Sequence, residues 1–288
     1  LYHSDKNVLL GAPTGSGKTI VAELALLRMK AEFPTAICVY VAPLKALARE
    51  RVSDWRAKLG KSKNEGGLGL YVVELTGEST PNYGVLNKAD ILIVTPEKWD
   101  VISRGWRGRQ YVQRVKLLVL DEVHLLGVER GAVLEVIVSR MRLMSQQRGL
   151  LASRSKEKNE GGAHEVRLVG LSTALANARD LADWLGIGQI GVYNFQPSVR
   201  PVPMSIYIQG FPGKHYCPRM ASMNKPCYAA ICEHSPTKPT LIFVSSRRQT
   251  RLTALDLISY CAADDDPHRF RRMNEEETEI VTLGFKDS

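Results

Sequence analysis

The chain has 288 residues, of which 44% are hydrophobic and 24% are charged, as in an average globular protein. This length predicts two domains rather than one. No apolar run approaches the ~18 residues that a membrane-spanning helix needs, and the first residues show neither a signal nor a transit peptide. The composition therefore argues against disordered, fibrous and membrane-spanning proteins and predicts no membrane partner. Because an initiator Met is lacking, we expect the chain to be a piece of a longer protein.

The chain is basic, with a formal net charge of +9 and a pI near 9.3. This charge permits a polyanionic partner without establishing one. Five cysteines, an odd number without a CxxC pair, predict a reducing compartment. One group has ligand types that suit zinc but spacings that fit no common zinc site: His215, Cys217, Cys227, Cys232 and His234. Ordinary thiols are the favoured interpretation.

Short apolar runs alternate with segments of helical periodicity along most of the chain. The runs predict buried strands at Val8–Leu10, Ile37–Val41, Tyr71–Leu75, Ile91–Val94, Leu117–Leu120 and Val166–Gly170. The periodic segments predict helices at Thr19–Ala31, Leu44–Leu59, Lys98–Trp106, Ala132–Met144 and Ala178–Leu185. This alternation predicts an α/β fold with a doubly wound, mostly parallel sheet.

Two segments rich in Lys, Ser, Asn and Gly interrupt this alternation. Lys61–Gly69 and Gln146–Glu165 each contain the string KNEGG and predict surface insertions. The basic residues of the second segment could bind nucleic acid, although a solvated loop is the favoured interpretation.

The last third of the chain predicts a linker and the start of a second α/β domain. Pro-rich stretches run from Pro197 to Pro203 and from Pro212 to Pro226, and a strand at Thr240–Val244 and a helix at Gln249–Tyr260 follow. We therefore expect a first domain at 1–196, a linker and entry at 197–239 and a truncated second domain at 240–288. The acidic tail, with Asp264–Asp266 and Glu275–Glu277, predicts a solvated segment.

The string APTGSGKT follows the first predicted strand and precedes a helix, which is the context that a phosphate-binding loop requires. Its glycines allow backbone N–H groups to point at phosphate oxygens, and the following helix adds its positive end. Lys18 is placed to reach the β- and γ-phosphates and Thr19 to bind Mg²⁺. The residues expected to hold the nucleotide are Pro13, Thr14, Gly15, Ser16, Gly17, Lys18 and Thr19.

The string DEVH, from Asp121 to His124, directly follows another predicted strand. Ligands of open parallel sheets gather at the carboxyl ends of the strands. Asp121 can hold Mg²⁺ through its hydration shell, and Glu122 is placed to polarise the attacking water. The adjacent carboxylates alone are weak evidence, but together with the phosphate loop they predict a nucleotide site in which Lys18, Asp121 and Glu122 are catalytic.

Ser172 and Thr173, in the string GLSTALANA, follow a third predicted strand and place two hydroxyls near the same edge. An N-capping role explains them equally well at this point.

These strings in this order resemble the motor core of superfamily 2 helicases, and DEVH resembles the Ski-like branch. Further strings resemble the family's other motifs: PLKALARER (Pro43–Arg51), ELTGE (Glu74–Glu78), TPEKWD (Thr95–Asp100), VRPVP (Val199–Pro203) and LIFVSSRRQT (Leu241–Thr250). Longer strings are similar to the C-terminal cassette of a tandem-cassette helicase, and the spliceosomal tandem-cassette RNA helicases are the alternative.

The resemblance implies two RecA-like lobes, the second only begun, and ATP-driven 3′ to 5′ translocation along single-stranded or partly duplex RNA or DNA. It implies Mg-ATP as the cofactor, other cassettes and complex subunits as partners, and work in the nucleus and cytoplasm on stalled ribosomes or alkylated DNA. By resemblance, His124, Ser172 and Thr173 couple nucleotide state to domain closure. The implied strand-binding residues are Pro43, Lys45, Thr76, Gly77, Thr95, Pro96, Ser245, Ser246 and Arg247.

Several family features do not occur in these 288 residues: the glutamine motif, the fifth motif and the sixth motif with its arginine finger. Such a finger contributes on the order of 10³–10⁵ in rate. We therefore expect this chain to bind Mg-ATP weakly and to hydrolyse it near background. A catalytically quiet cassette that serves as a protein-docking module is the alternative function, and the presence of Lys18, Thr19, Asp121 and Glu122 argues against it.

Overall fold

The computed structural model describes residues 2–60, 67–77, 80–127, 131–154 and 165–270. The chain divides into two compact units, Leu1–Met204 and Ser205–Ser288. Within the described residues, no helix combines the length and the apolarity that crossing a membrane requires. The predicted domain boundaries at 196 and 239 stay predictions.

The first unit is built on a seven-stranded sheet in the order β3-β4-β2-β5-β6-β1-β7, with every pairing parallel. The strands are β1 Val8–Gly11, β2 Ile37–Val41, β3 Val72–Leu75, β4 Ile91–Val94, β5 Val115–Leu120, β6 Arg167–Ser172 and β7 Val192–Asn194. All six strands that the sequence predicts for this sheet are confirmed. β7 was missed because it has three residues, of which Tyr193 and Asn194 are exposed, so it leaves no apolar run.

Helices cover both faces of this sheet: α1 Lys18–Glu32, α2 Lys45–Lys58, α3 Tyr83–Lys88, α4 Pro96–Arg104, α5 Gln110–Gln113, α6 Gly131–Arg154 and α7 Ala178–Trp184. One buried cluster includes Trp99 of α4 and Met141 of α6, and the other includes Leu26 of α1 and Trp55 of α2. Two separate cores confirm the predicted doubly wound α/β sheet. α3 and α5 are too short to show helical periodicity in the sequence.

The insertion predicted at Gln146–Glu165 is wrong in its first half, because α6 continues to Arg154. Once a helix is nucleated, each further residue adds a hydrogen bond at little cost, and most residues of this segment are good helix formers. Residues 155–164, including the second KNEGG string, lie outside the described residues. The same holds for 61–66 of the other insertion, whose end is tied back where Leu68 and Leu70 donate to the Leu59 carbonyl at 3.2 and 3.0 Å.

The second unit contains α8, Tyr216–His234, and α9, Arg247–Ala263. α9 confirms the predicted helix. The linker-and-entry segment predicted at 197–239 contains a helix that the sequence did not predict, because α8 runs through Pro226. Pro218 lies in the first turn, where a backbone N–H has no partner within the helix, so α8 tolerates it. The helix around Pro226 is held by tertiary contacts: Asn224 accepts from the Thr253 hydroxyl of α9 at 3.1 Å, and Tyr228 is buried.

The strand predicted at Thr240–Val244 is also wrong, since this segment has no assigned strand. Leu241 is 78% exposed and Phe243 is 88% exposed. A strand forms by hydrogen bonding to a neighbouring strand, and none of the described residues of this unit belongs to one. The apolar run therefore predicted a strand, but an apolar run does not show whether a partner strand is present. Residues 271–288, with the acidic Glu275–Glu277, lie outside the described residues.

Candidate functional site

The carboxyl edge of the sheet divides into two groups of adjacent strands. APTGSGKT follows β1, DEVH follows β5, and Ser172 ends β6, and these strands lie side by side in the order β5-β6-β1. The residues expected to bind a nucleic-acid strand in this unit follow β3, β4 and β2, which are also adjacent. We call the first group the nucleotide half and the second the strand half.

The phosphate-binding loop turns through two glycines with left-handed backbone, Gly15 at φ 82° and Gly17 at φ 87°. Residues with a side chain rarely adopt this backbone conformation. A Cβ on Gly15 would meet no atom within 4 Å, so the space beside this residue is open. The hydroxyl of Ser16 donates to the Pro13 carbonyl at 2.6 Å, and Lys18 Nζ donates to the Ala12 carbonyl at 2.9 Å. These bonds hold the loop as a concave nest of backbone N–H groups, which suits an anion.

A cavity of about 360 Å³ opens at this loop. It brings the ammonium of Lys18 and the hydroxyl of Thr19 to the same space as the carboxylates of Asp121 and Glu122. The other lining residues are Thr14, Gly15 and Gly17 from the loop, and Tyr40, Leu47, Glu50 and Arg51 from β2 and α2. The spatial relation that the sequence predicts between loop and carboxylates is thus present, while the catalytic roles stay predictions.

Both carboxylate oxygens of Asp121 are hydrogen-bonded. The Tyr40 hydroxyl donates to Oδ2 at 2.5 Å, and the backbone N–H of Glu122 donates to Oδ1 at 3.0 Å. Burial raises the pKa of Tyr40 far above its ordinary value, and the negative charge of Asp121 raises it further. Tyr40 is therefore a hydrogen-bond donor at neutral pH, and its hydroxyl and the Glu122 N–H hold the two oxygens of Asp121.

Glu122, His124, Ser172 and Thr173 meet beside Asp121. Glu122 has a left-handed backbone at φ 52°, and its Oε2 lies 3.3 Å from His124 Nδ1. His124 Nδ1 also lies 3.4 Å from the Ser172 hydroxyl and 3.5 Å from the backbone N–H of Thr173. A chain of close polar contacts therefore links the carboxylate beside the phosphate loop to the end of β6. This geometry suits the predicted coupling role of His124, Ser172 and Thr173.

The donor set fits a magnesium nucleotide. Mg²⁺ prefers oxygen ligands, and the cavity offers the Thr19 hydroxyl and the Asp121 carboxylate beside a phosphate-binding nest. The buried Oε2 of Glu122 accepts no well-formed hydrogen bond from the described residues, and its neighbour is the His124 ring nitrogen at 3.3 Å. The Glu122 side chain also lines the cavity, so it offers a second carboxylate beside the phosphate-binding loop.

The strand half offers fewer exposed side chains. Pro43 is buried and Lys45 is exposed at the start of α2, where the Lys45 side chain passes about 3.8 Å from the Cβ position of Gly77. Thr76 is fully buried and its hydroxyl donates to Glu74 at 2.9 Å. Thr95 and Pro96 are buried at the start of α4. A nucleic-acid strand could reach the side chain of Lys45 and the backbone of the other positions. The strand-binding roles stay predictions. Glu78 lies outside the described residues.

Two helices of the strand half begin at its edge. Within the described residues, neither Leu44 of α2 nor Thr95 of α4 caps its helix with a side-chain hydrogen bond, and the same is true of Gly17 at α1. In contrast, the Asn82 side chain caps α3 by accepting from Val85 N at 3.0 Å. The start of a helix carries the positive end of the helix dipole, which attracts an anion.

The remaining predicted strand-binding residues lie in the second unit. Ser245, Ser246 and Arg247 are exposed at the start of α9. The Ser246 side chain caps α9 by accepting from Gln249 N at 3.3 Å, and the Ser245 hydroxyl contacts the hydroxyl of Tyr216. Arg247 is thus the member of this group with a charged side chain at the surface. Among the described residues, no group of three or more His, Cys, Asp or Glu is arranged to hold a metal ion.

Sequence reasoning missed three residues of the nucleotide half. Tyr40 looked like a core residue of β2, and Arg51 lay in a string assigned to strand binding. The spacing of Leu47, Arg51 and Trp55 at i, i+4 and i+8 predicts that they share one face of α2, which was the available signal. No local signal identified Asn194, whose side chain donates to the Leu175 carbonyl at 2.7 Å and accepts from its N–H at 3.1 Å.

Comparison with known proteins places the chain among helicases. The profile of the DEAD/DEAH box helicase family matches residues 1–180. The chain is 58% identical over 288 residues to the activating signal cointegrator 1 complex subunit 3 of Danio rerio and to that of Homo sapiens, and it covers 18% and 12% of those proteins. It is 60% identical over 287 residues to the DExH-box ATP-dependent RNA helicase DExH14 of Arabidopsis thaliana, of which it covers 12%.

The fold is similar to that of a solved helicase. The crystal structure of the DUF1998 helicase MrfA matches with a TM-score of 0.65 at 20% identity, over 96% of this chain and 39% of that one. A structure of the same helicase bound to DNA matches with a TM-score of 0.57 at 16% identity, over 98% of this chain and 38% of that one. These likenesses concern the fold alone, and the predicted RecA-like α/β class is confirmed. The chain spans less than a fifth of the curated relatives reported above.

Proposed function

Because the chain belongs to the DEAD/DEAH box helicase family, we propose that it is the ATP-binding part of a nucleic-acid motor. The motor hydrolyses ATP in order to translocate 3′ to 5′ along one strand of RNA or DNA. The observation that carries this proposal is the single cavity that Lys18, Thr19, Asp121 and Glu122 line together. A docking module needs none of these groups in one place, so no observation favours that alternative.

Each residue of the cavity has a chemical role in this function. The N–H groups of the loop and the ammonium of Lys18 bind the phosphates. Thr19 and Asp121 are the side chains that hold Mg²⁺, which neutralises charge on the phosphates when it is bound. Glu122 orients and polarises the attacking water, since its carboxylate lines the cavity beside the phosphate loop. His124 connects this carboxylate to Ser172 and Thr173.

The strand half supports binding that is independent of sequence. Phosphate oxygens accept hydrogen bonds from uncapped backbone N–H groups and from lysine, and such contacts position a strand without reading its bases. The first turns of α2 and α4 and the side chain of Lys45 supply these donors on adjacent strands. A net charge of +9 adds a general attraction for a polyanion.

The parent protein and its setting are part of the proposal. Identity of 58% to a protein named as a complex subunit supports a parent that works with other subunits. Other cassettes as partners stay a prediction. We propose nucleus and cytoplasm as its location, which agrees with five cysteines that are all free. The spliceosomal alternative, and roles at stalled ribosomes or on alkylated DNA, stay predictions.

Binding measurements with Lys18→Ala test the proposed function. The titrants are a fluorescent ATP analogue with Mg²⁺ and a fluorescent single-stranded oligonucleotide of RNA or DNA. A charge-assisted hydrogen bond contributes up to about 3 kcal/mol, so we expect about 100-fold weaker nucleotide binding by the variant. Strand binding in the absence of nucleotide should stay within about twofold, because Lys18 lies in the other half of the edge.

Lys88→Ala is the matched control, since it removes the same charge from the exposed end of α3, which follows β3. It should leave nucleotide affinity unchanged. If the wild-type chain binds neither Mg-ATP nor an oligonucleotide, or if Lys18→Ala binds Mg-ATP as the wild type does, the proposed function is wrong.

A further inference from the structure

Strand β2 places a tyrosine against the nucleotide cavity from outside the family's motifs. Tyr40 is the fourth residue of β2, is 1% exposed, and is among the residues that line the cavity. Its neighbour in the sheet is β5, which leads into Asp121. The register that pairs Tyr40 with Val119 puts the hydroxyl within 2.5 Å of Asp121 Oδ2.

The ring of Tyr40 is held on two sides by α2. Trp55 packs edge to face on it, with ring centroids 5.1 Å apart and planes at 72°. The guanidinium of Arg51 lies 5.7 Å from the centroid of the Tyr40 ring and 5.9 Å from that of Trp55. Both contacts are favourable and the ring is buried, so they favour the orientation in which the Tyr40 hydroxyl meets Asp121.

The partners of this stack are fixed in turn. Trp55 Nε1 donates to Glu23 Oε1 of α1 at 2.9 Å, and Arg51 donates to Asp54 at 3.1 Å. Arg51 also donates to the Thr19 hydroxyl at 3.2 Å. The stack thus joins α1 and α2 beside the phosphate loop, and through Tyr40 it fixes a carboxylate on β5.

Asp121 needs such a partner if it is to hold a metal ion. A free carboxylate on a short side chain rotates about two bonds, and each wrong orientation lowers metal affinity. The Glu122 N–H fixes Oδ1 and the Tyr40 hydroxyl fixes Oδ2, while each oxygen keeps a second lone pair for a ligand. Partners that orient a metal ligand without touching the metal typically contribute 10- to about 100-fold in metal affinity.

We propose that Tyr40 is a positioning residue that orients Asp121 for the magnesium ion of the bound nucleotide. This inference rests on the proposed function and deepens it. In this role Tyr40 contacts neither the reacting phosphates nor the metal ion, and it acts through Asp121. Arg51 and Trp55 hold the tyrosine ring and so belong to the same arrangement.

Magnesium titrations of nucleotide binding test this proposal with Tyr40→Phe, which keeps the ring and removes the hydroxyl. Binding of a fluorescent ATP analogue is measured in EDTA and then over a range of Mg²⁺ concentrations. We expect affinity in EDTA to stay within about twofold of wild type, because the loop and Lys18 are intact. The Mg²⁺ concentration at half-effect should rise about tenfold, because Asp121 is no longer oriented. A merely structural role would change both quantities or neither.

Tyr111→Phe is the matched control, since Tyr111 is buried on α5 and does not line the nucleotide cavity. Its Mg²⁺ midpoint should equal that of the wild type. Near-ultraviolet circular dichroism checks that each variant is folded. If Tyr40→Phe unfolds, Trp55→Phe replaces it, and a rise in the same direction is expected because Trp55 packs on the Tyr40 ring and does not line the cavity.

Two failures can be told apart. A wild-type chain whose nucleotide binding does not respond to Mg²⁺ would overturn the proposed function and this inference with it. If the wild type responds to Mg²⁺ but the Mg²⁺ midpoint of Tyr40→Phe lies within about twofold of the wild-type value, only the role of Tyr40 is overturned.

Discussion

The two halves of the carboxyl edge are built from different groups, although both follow buried parallel strands of one sheet. In the nucleotide half, side chains converge: Lys18, Thr19, Asp121 and Glu122 line one cavity. In the strand half, the threonines are buried, and backbone at the starts of α2 and α4 lies at the edge beside Lys45. Side chains dominate one site and main chain the other.

The difference follows from what each half is proposed to bind. A nucleotide with a divalent ion is a small ligand of fixed geometry, so its ligands must be oriented to fractions of an ångström. A moving nucleic-acid strand presents the same phosphate in every register, so repeated N–H donors at helix ends suffice and specific side chains would hinder movement. If both proposals hold, one sheet edge serves both purposes with different kinds of donor.

β2 and α2 lie at the boundary between the halves. β2 pairs with β4 on one side and with β5 on the other. The start of α2 carries Lys45 in the strand half, while Arg51, two turns later, lines the nucleotide cavity. A single rigid element therefore contributes to both sites.

The largest effect that separates the halves is expected from Asp100→Asn. Asp100 of α4 lies 2.8 Å from Arg140 of α6 and 2.5 Å from Arg104, so it ties the strand-half helix to its support. Breaking a buried pair costs about 3–5 kcal/mol, and because Arg104 is 66% exposed we expect about 2 kcal/mol here, or a Tm lower by about 6 °C. Nucleotide affinity should stay within about twofold. A larger loss of nucleotide affinity would show that the halves are not independent.

The pH dependence of this effect identifies its electrostatic part. Burial raises the pKa of Asp100, but hydrogen bonds from Arg104 and Arg140 outweigh it and the pKa is lowered overall. A carboxyl whose pKa is lower in the folded chain than in the unfolded chain stabilises the fold. This contribution is fully present above the unfolded-state pKa of about 3.9, and it is lost as the pH falls through the folded-state pKa. The difference in Tm between wild type and Asp100→Asn should be constant from about pH 6 to 8 and shrink below about pH 4. If the Tm difference persists in acid, it comes from packing rather than from the charge of Asp100.

A smaller effect, confined to the strand half, is expected from Lys45→Ala. One phosphate contact contributes about 1.4 kcal/mol, so affinity for a single-stranded oligonucleotide should fall about tenfold, and the slope of log affinity against log salt should decrease by about 1. Nucleotide affinity should not change. Lys88→Ala is again the control, with little change in either quantity. An unchanged salt slope for Lys45→Ala would mean that this lysine makes no phosphate contact.

The sequence predicted the sheet and the loop because both depend on local signals. Continuous apolar runs identified the strands from β1 to β6, and APTGSGKT identified the loop with its two positive-φ glycines. The convergence of Lys18 with Asp121 also followed, because carboxyl ends of parallel strands share an edge. These features need no knowledge of side-chain packing.

Several of the misses depend on tertiary contacts. Thr240–Val244 has the composition of a strand but no pairing partner, while α8 passes through Pro226 because Asn224 and Tyr228 anchor it. Tyr40 reaches the cavity through strand register, which no local string encodes, whereas Arg51 reaches it on the face of α2 that its spacing from Leu47 and Trp55 indicates. Local patterns predicted elements, and packing decided which side chains complete the site.

The smallest effect is expected from Asn194→Ala, and it tests whether the nucleotide half depends on side chains throughout. Asn194 of β7 bonds both the carbonyl and the N–H of Leu175, in the loop that follows Ser172 and Thr173, and a Cβ on Gly11 would lie 2.4 Å from its Oδ1. Two partly exposed hydrogen bonds contribute about 1 kcal/mol, so exchange of the Leu175 amide with deuterium should be about fivefold faster, with Tm nearly unchanged. Asn82→Ala, which removes the cap of α3 in the strand half, should instead speed exchange at Val85 and leave Leu175 protected. If the Leu175 amide stays protected in Asn194→Ala, then backbone contacts rather than the Asn194 side chain hold the loop after β6. The contrast between the two halves would then not extend to this loop.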